Sequence, residues 1–245
     1  MSATPSTPST EAVGGAPPSA AGGDPHELPA AVLWDMDGTL VDTEPYWIEQ
    51  EHRLVERFGG TWTEADAHSL VGNPLLVSAE YIRAHTPVTL TPLEIVDELQ
   101  SGVIAALSRR LPWRPGAREL LAELGDLGVP CALVTMSWRP MVDALVATLP
   151  DGVFAAIVTG DEVTRGKPDP EPYLTAAAAL GVDIGDCVAI EDSSTGSASA
   201  LAAGARTIVV PHVVAVPPAD GLFHRKTLEG LRARDLLAAT APSAP

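Results

Sequence analysis

The chain has 245 residues, 46% of them hydrophobic, with a formal net charge of −17 and a pI near 4.5. That length supports one core, or a core with a smaller inserted domain. So acidic a balance argues against a nucleic-acid or anionic-membrane partner, and no apolar run reaches membrane-span length.

Both cysteines, Cys131 and Cys187, sit inside apolar runs and read as buried thiols. The six histidines show no metal-ligand spacing. Residues 1–28, rich in Ala, Pro, Ser, Thr and Gly, read as a disordered tail. Residues 237–245 read the same way. The start lacks the basic and apolar segments of a secretory signal, so a cytoplasmic protein is the default expectation.

Ala31–Trp34 is a short apolar run, expected as a buried strand. It stops at Asp35, Asp37 follows two residues later, and Gly38-Thr39 turns the chain. Two carboxylates so close repel each other, and a divalent cation is the simplest neutralising partner. Asp-Gly between apolar residues is also a hairpin signal, and the two readings are compatible. Glu44–Phe58 has helical spacing, with Trp47, Leu54, Val55 and Phe58 on one face and Glu49, Glu51, Arg53 and Glu56 expected in water. Thr63/Asp66 and Thr91/Glu94 are capping signatures for further helices, the last running to about Arg110. No strand is expected between residues 45 and 111.

From Trp113 the pattern changes to helices at Pro115–Leu127, Arg139–Thr148 and Pro172–Leu180 and from about Thr195 to Gly204. They alternate with strands at Val129–Val134, Phe154–Val158, Cys187–Ile190 and Arg206–Val210. Alternation of this kind predicts an α/β fold, a Rossmann-like parallel sheet core with an inserted all-helical cap domain. The expected division is a core of 29–44 plus 112–236 and a cap of 45–111. In such sheets ligands sit beyond the carboxyl ends of the strands. Polar groups collect there: Asp35 and Asp37, Thr135 and Ser137, Asp161, Glu191 and Asp192. Lys167, in a loop stiffened by Gly166 and nearby prolines, offers a positive charge to an anion or to Asp35.

These groups suit phosphoryl transfer. Asp35 can attack phosphorus as a carboxylate nucleophile. Mg²⁺ between Asp35 and Asp192 would offset charge. Thr135, Lys167 and backbone N–H groups near Met136 and Ser137 would bind phosphate oxygens. Asp37 could protonate the leaving oxygen and then deprotonate water.

Asp35-Met36-Asp37-Gly38-Thr39, Val134-Thr135-Met136-Ser137, Gly166-Lys167-Pro168 and Ile190-Glu191-Asp192-Ser193 resemble, in order and spacing, the four motifs of the haloacid dehalogenase-like superfamily. The likeness covers about residues 30–235. It implies Asp35 as nucleophile and Asp37 as acid/base, with Thr135 and Lys167 on phosphate. Asp192 and the main-chain carbonyl of Asp37 would hold Mg²⁺, assisted by Glu191, and the helical block would be a mobile cap.

Within that family Asp37 argues against a dehalogenase, and a lysine-free Glu44–Leu111 argues against a phosphonatase. A β-phosphoglucomutase-like enzyme is the closer competitor. Such mutases carry a histidine where this chain has Trp47, and an arginine three residues past a cap glycine, here Leu75 after Gly72. The hinge Asp42–Trp47 instead resembles that of sugar- and polyol-phosphate phosphatases. The expected activity is therefore Mg²⁺-dependent hydrolysis of a small phosphorylated metabolite. Glu44, Trp47, Gly72 and Asn73 are the expected substrate contacts in the cap, and a monomer is the default. A receiver-like domain would need no helical insertion, and a non-catalytic phosphate binder could have lost either Asp35 or Asp37.

Overall fold

The apolar run before Asp35 is the central strand of a six-stranded, wholly parallel sheet. In this computed structural model the described residues are 1, 28–71 and 73–240. The strands are β1 (Ala31–Trp34), β2 (Cys131–Val134), β3 (Ala156–Val158), β4 (Cys187–Glu191), β5 (Arg206–Val209) and β6 (Leu222–His224), in the spatial order β3-β2-β1-β4-β5-β6. The order reverses at β1, so the crevice beyond its carboxyl end lies between β1 and β4.

Successive side chains of the central strands go to opposite faces. Val32, Trp34, Cys131, Leu133, Val188 and Ile190 enter one apolar cluster; Ala31, Leu33, Ala132, Val134, Cys187 and Ala189 enter the other. This explains why the strands read as unbroken apolar runs, since both faces are covered. The first cluster is closed by α5 (Ala117–Asp126) and α6 (Arg139–Val146), the second by α7 (Glu171–Leu180) and α8 (Ser194–Ala203).

Between β1 and α5 the described residues form helices and no named strand: α1 (Glu44–Arg57), α2 (Glu64–Leu70), α3 (Leu75–His85) and α4 (Pro92–Leu107). The capping boxes at Thr63/Asp66 and Thr91/Glu94 are both formed. These helices enclose their own cluster around Leu54, Val55, Trp62, Ile82, Ile95 and Leu99. The two linkers to the sheet run side by side: Asp42 N–H donates to the Pro112 carbonyl at 2.7 Å, and Arg114 N–H to the Leu40 carbonyl at 3.0 Å. Trp47 packs against both clusters, so it couples the helical block to the sheet.

Several expectations are corrected. The Asp-Gly turn exists, with Gly38 at φ +87° and its N–H bonded to Val41. However, the chain does not fold back on β1; Val41 pairs with Trp113 instead. The fourth helix stops at Leu107, and the next begins only after Gly116, whose φ of +82° is not helical. A sixth strand, β6, was not anticipated; its three residues, flanked by charged and turn residues, give too short a pattern. The C-terminal tail was expected from 237, yet Leu236–Ala239 is a helix, α9, with Leu237 and Ala239 packed on the core. Leu28, assigned to the N-terminal tail, packs there too. The remainder of both tails, and Gly72, lie outside the described residues. No helix among the described residues is long and apolar enough to cross a membrane.

Candidate active site

β1 delivers Asp35 to the sheet edge, where its N–H donates to the Ile190 carbonyl at 3.0 Å. Its carboxylate Oδ1 accepts from Lys167 Nζ at 2.7 Å; Oδ2 is buried and has no hydrogen-bond partner among the described residues. Lys167 is not a surface lysine. Its ammonium also donates to Glu191 Oε1 at 2.6 Å and to the Val134 carbonyl at 2.9 Å, which uses all its protons. Burial alone would push its pKa down, but Asp35 and Glu191 outweigh that and hold it up.

Glu191 is 0% exposed. Beyond Lys167, its Oε1 accepts from the Tyr173 hydroxyl at 2.7 Å, while Oε2 takes Asp192 N–H and Ser193 Oγ–H, each at 3.2 Å. A Cβ on Gly196 would run into this carboxylate, so a small residue is required there. With both oxygens occupied, Glu191 is placed to act as the counter-ion of Lys167. Burial, then Glu191, push the Tyr173 hydroxyl pKa well up, so it stays a donor.

Asp37 is gripped by hydroxyls. Oδ1 accepts from Thr43, and Oδ2 from Ser137 at 2.7 Å and Thr135 at 3.3 Å. Thr135 Oγ1 in turn accepts from the Ser137 N–H at 3.0 Å. Thr135 and Ser137, expected on phosphate, thus first hold the second acid. Met136 packs its sulfur on the next loop, accepting from the Lys167 N–H at 3.2 Å.

Carboxylate oxygens of Asp35, Glu191 and Asp192 lie within 4.8 Å of one another. Burial is the main cause raising the Asp35 and Asp192 pKa values; for Asp35 the next is Glu191, for Asp192 it is Asp35. A Cβ on Gly38 would collide with the Asp192 carboxylate. An oxygen of Asp35 without a partner and a clustered set of hard oxygen donors, with the Asp192 carboxylate seated against Gly38, fit a divalent cation.

Above this floor is a cavity of about 390 Å³, roofed by the helical block through Glu44, Trp47, Asn73 and Leu75. Tyr46 turns away, its hydroxyl donating to the Arg110 carbonyl at 3.2 Å. Asp161 also stays outside the cavity; at the edge strand it accepts from the Arg139 N–H at 3.0 Å and caps α6. Glu44 has its pKa raised to about 7, by burial first and then by Asp37 and Asp42.

Three residues escaped the sequence reading. Thr43 lies inside the hinge, the hydroxyl residue immediately before the helix. Tyr173 lies in an Ala/Leu-rich helix with nothing to mark it. Glu51, expected in water, is 6% exposed and lines the cavity, with Trp62 Nε1 donating to Oε2 at 3.1 Å. Its signal is positional: Glu44, Trp47 and Glu51 share one helical face.

Residues 32–210 match the family described as haloacid dehalogenase-like hydrolase. The chain is 35% identical over 205 residues to hexitol phosphatase A of Escherichia coli, covering 77% of this chain and 83% of that one. It is 33% identical over 186 residues to a phosphorylated carbohydrates phosphatase of Thermotoga maritima, covering 73% and 83%. A crystal structure of CbbY from Rhodobacter sphaeroides, in complex with xylulose-(1,5)bisphosphate, superposes with a TM-score of 0.74 at 27% identity, over 83% of this chain and 96% of that one. The chain belongs to the haloacid dehalogenase-like hydrolases, as one of their phosphatases.

Proposed function

We propose that the protein is a Mg²⁺-dependent phosphomonoesterase acting on a small sugar or polyol phosphate through an aspartyl-phosphate on Asp35. The observation that carries this reading is the division of labour between two neighbouring acids. Asp35 is oriented by Lys167 and keeps one oxygen without a partner, whereas Asp37 is held by Thr43, Thr135 and Ser137.

Asp35 attacks phosphorus as the ester oxygen departs, and that oxygen takes the proton of Asp37. Asp37 then removes a proton from water, which attacks the aspartyl-phosphate, releases inorganic phosphate and restores the Asp35 carboxylate. Thr135, Ser137 and the Met136 N–H surround the transferred group, and Lys167 favours the ionised form of Asp35 against the burial that raises its pKa. Asp35, Asp192 and the Asp37 carbonyl would hold Mg²⁺, which when bound supplies positive charge to the acids and to phosphate. Glu191, with both oxygens taken, supports from behind. The helical block, with residues 45–111 as the cap, shields the reaction from bulk water.

Hydrolysis is favoured over a mutase because the roof carries no arginine or lysine among the described lining residues, so a bisphosphate intermediate has no second anion site. The test is turnover of p-nitrophenyl phosphate with and without Mg²⁺. Activity that needs the metal and is lost in Asp35→Asn is expected; turnover that survives Asp35→Asn overturns the mechanism. Formation of glucose 6-phosphate from β-glucose 1-phosphate and a bisphosphate primer would favour the mutase.

A further inference from the structure

Glu51 is a buried acid that the proposed chemistry does not use. It sits two turns up α1 from Glu44, on the same face, about 10 Å farther along the helix axis by the helical rise. Trp62 Nε1 anchors Oε2 at 3.1 Å, and Oε1 accepts no hydrogen bond among the described residues. The same cavity is lined by apolar side chains, among them Leu70, Val96 and Leu99. Among so few polar groups Oε1 is a site for a donor brought in by a bound molecule. The Trp62 N–H needs one acceptor, which a single amide or hydroxyl oxygen would supply. The carboxyl brings a second acceptor, and that one lies in the wall of the catalytic cavity.

The charge of the cavity points the same way. Of the basic side chains lining it, Lys167 is saturated, and His212, whose pKa is lowered chiefly by burial, faces Asp42 at 3.4 Å. An anionic group at the far end of a substrate would find no free cation among the described lining residues. A hydroxyl there could donate to Glu51 Oε1 and satisfy it.

We propose that Glu51, anchored by Trp62, is a specificity residue that reads a distal hydroxyl of an uncharged sugar or polyol monophosphate, at an end of the cavity that offers a second phosphate no cation. This rests on the phosphatase reading above and names the end of the substrate remote from the reacting phosphorus.

The test compares kcat/KM for sorbitol 6-phosphate, sorbitol 1,6-bisphosphate and the short ester ethylene glycol phosphate in the wild-type protein, Glu51→Leu and Glu51→Gln. The wild type should prefer the monophosphate over the bisphosphate. In Glu51→Leu the ratio of kcat/KM for the long ester over the short one should fall about tenfold, through KM, the worth of one buried hydrogen bond. Glu51→Gln, which keeps an acceptor for Trp62 and one polar group for the substrate, should recover most of that ratio. Equal losses on the long and short esters in Glu51→Leu would mean that Glu51 only supports α1, and would overturn the proposal. So would a wild-type protein that hydrolyses the bisphosphate as readily as the monophosphate. Absence of turnover on every ester strikes the phosphatase reading instead. Calorimetric binding of the same compounds to Asp35→Asn, with and without Glu51→Leu, then decides the role of Glu51 by the same ratio.

Discussion

Lys167 and Glu191 meet at 2.6 Å at the floor of the cavity, Lys167 nearly buried and Glu191 fully so. A buried pair of this kind costs little while intact, but removal of one partner leaves an uncompensated charge. Lys167→Met should therefore destabilise the fold by about 3–5 kcal/mol, and Lys167→Met/Glu191→Gln by clearly less than the sum of the single changes. Urea denaturation of the single and double variants measures this, and strict additivity would show that the two side chains do not depend on each other.

Removal of metal should expose the repulsion among the acids. Without a cation, Asp35 and Asp192 are both pushed toward protonation, first by burial and then by neighbouring carboxylates. Mg²⁺ should raise the melting temperature and excess chelator should reverse the rise. Asp192→Asn should melt higher than the wild type in chelator and respond little to Mg²⁺. Thermal scans with and without the metal check both halves.

Thr43 should matter to rate more than to folding. Its hydroxyl donates to Asp37 Oδ1 from the start of α1, so Thr43→Val removes one of the groups that aim the acid/base. A fall in kcat of about tenfold or more is expected, with stability reduced by about 1 kcal/mol. Steady-state kinetics beside a denaturation curve separates the two effects; a change confined to stability would contradict this role.

Glu51 should make stability pH-dependent. Burial lifts its pKa from 4.5 to about 8, against an opposing contribution from Trp62. Between those values the folded chain holds a proton that the unfolded chain has released, so stability is highest at the acid end and falls as pH rises through the window. Glu51→Gln removes this titration. Its melting temperature should exceed that of the wild type at about pH 9 and approach it near pH 5, with a gain on the order of 2 kcal/mol at the alkaline end. Melting curves at both pH values give the sign.

The chemistry-bearing residues were legible in the chain because strand periodicity and strand ends are local. Ala31–Trp34 is apolar at every position, so it must be covered on both faces, and whatever follows it emerges at the sheet edge. The same logic located Thr135 and Asp192. Local caps did likewise for α2 and α4, where Thr63 and Thr91 bond their own helices.

What the sequence by itself determined is the order of these elements and the type of group each presents. Only the tertiary structure decided who meets whom. Lys167 reaches Asp35 across 132 residues, Tyr173 emerges from an apolar helix to hold Glu191, and Glu51 turns from an apparent surface acid into a cavity wall. The physical reason is that hydrophobic periodicity reports which face of a helix is buried within its own block. It does not report that the same face of α1, carrying Trp47 and Glu51 beside Leu54 and Val55, also meets the sheet and lines the cavity when the helical block closes.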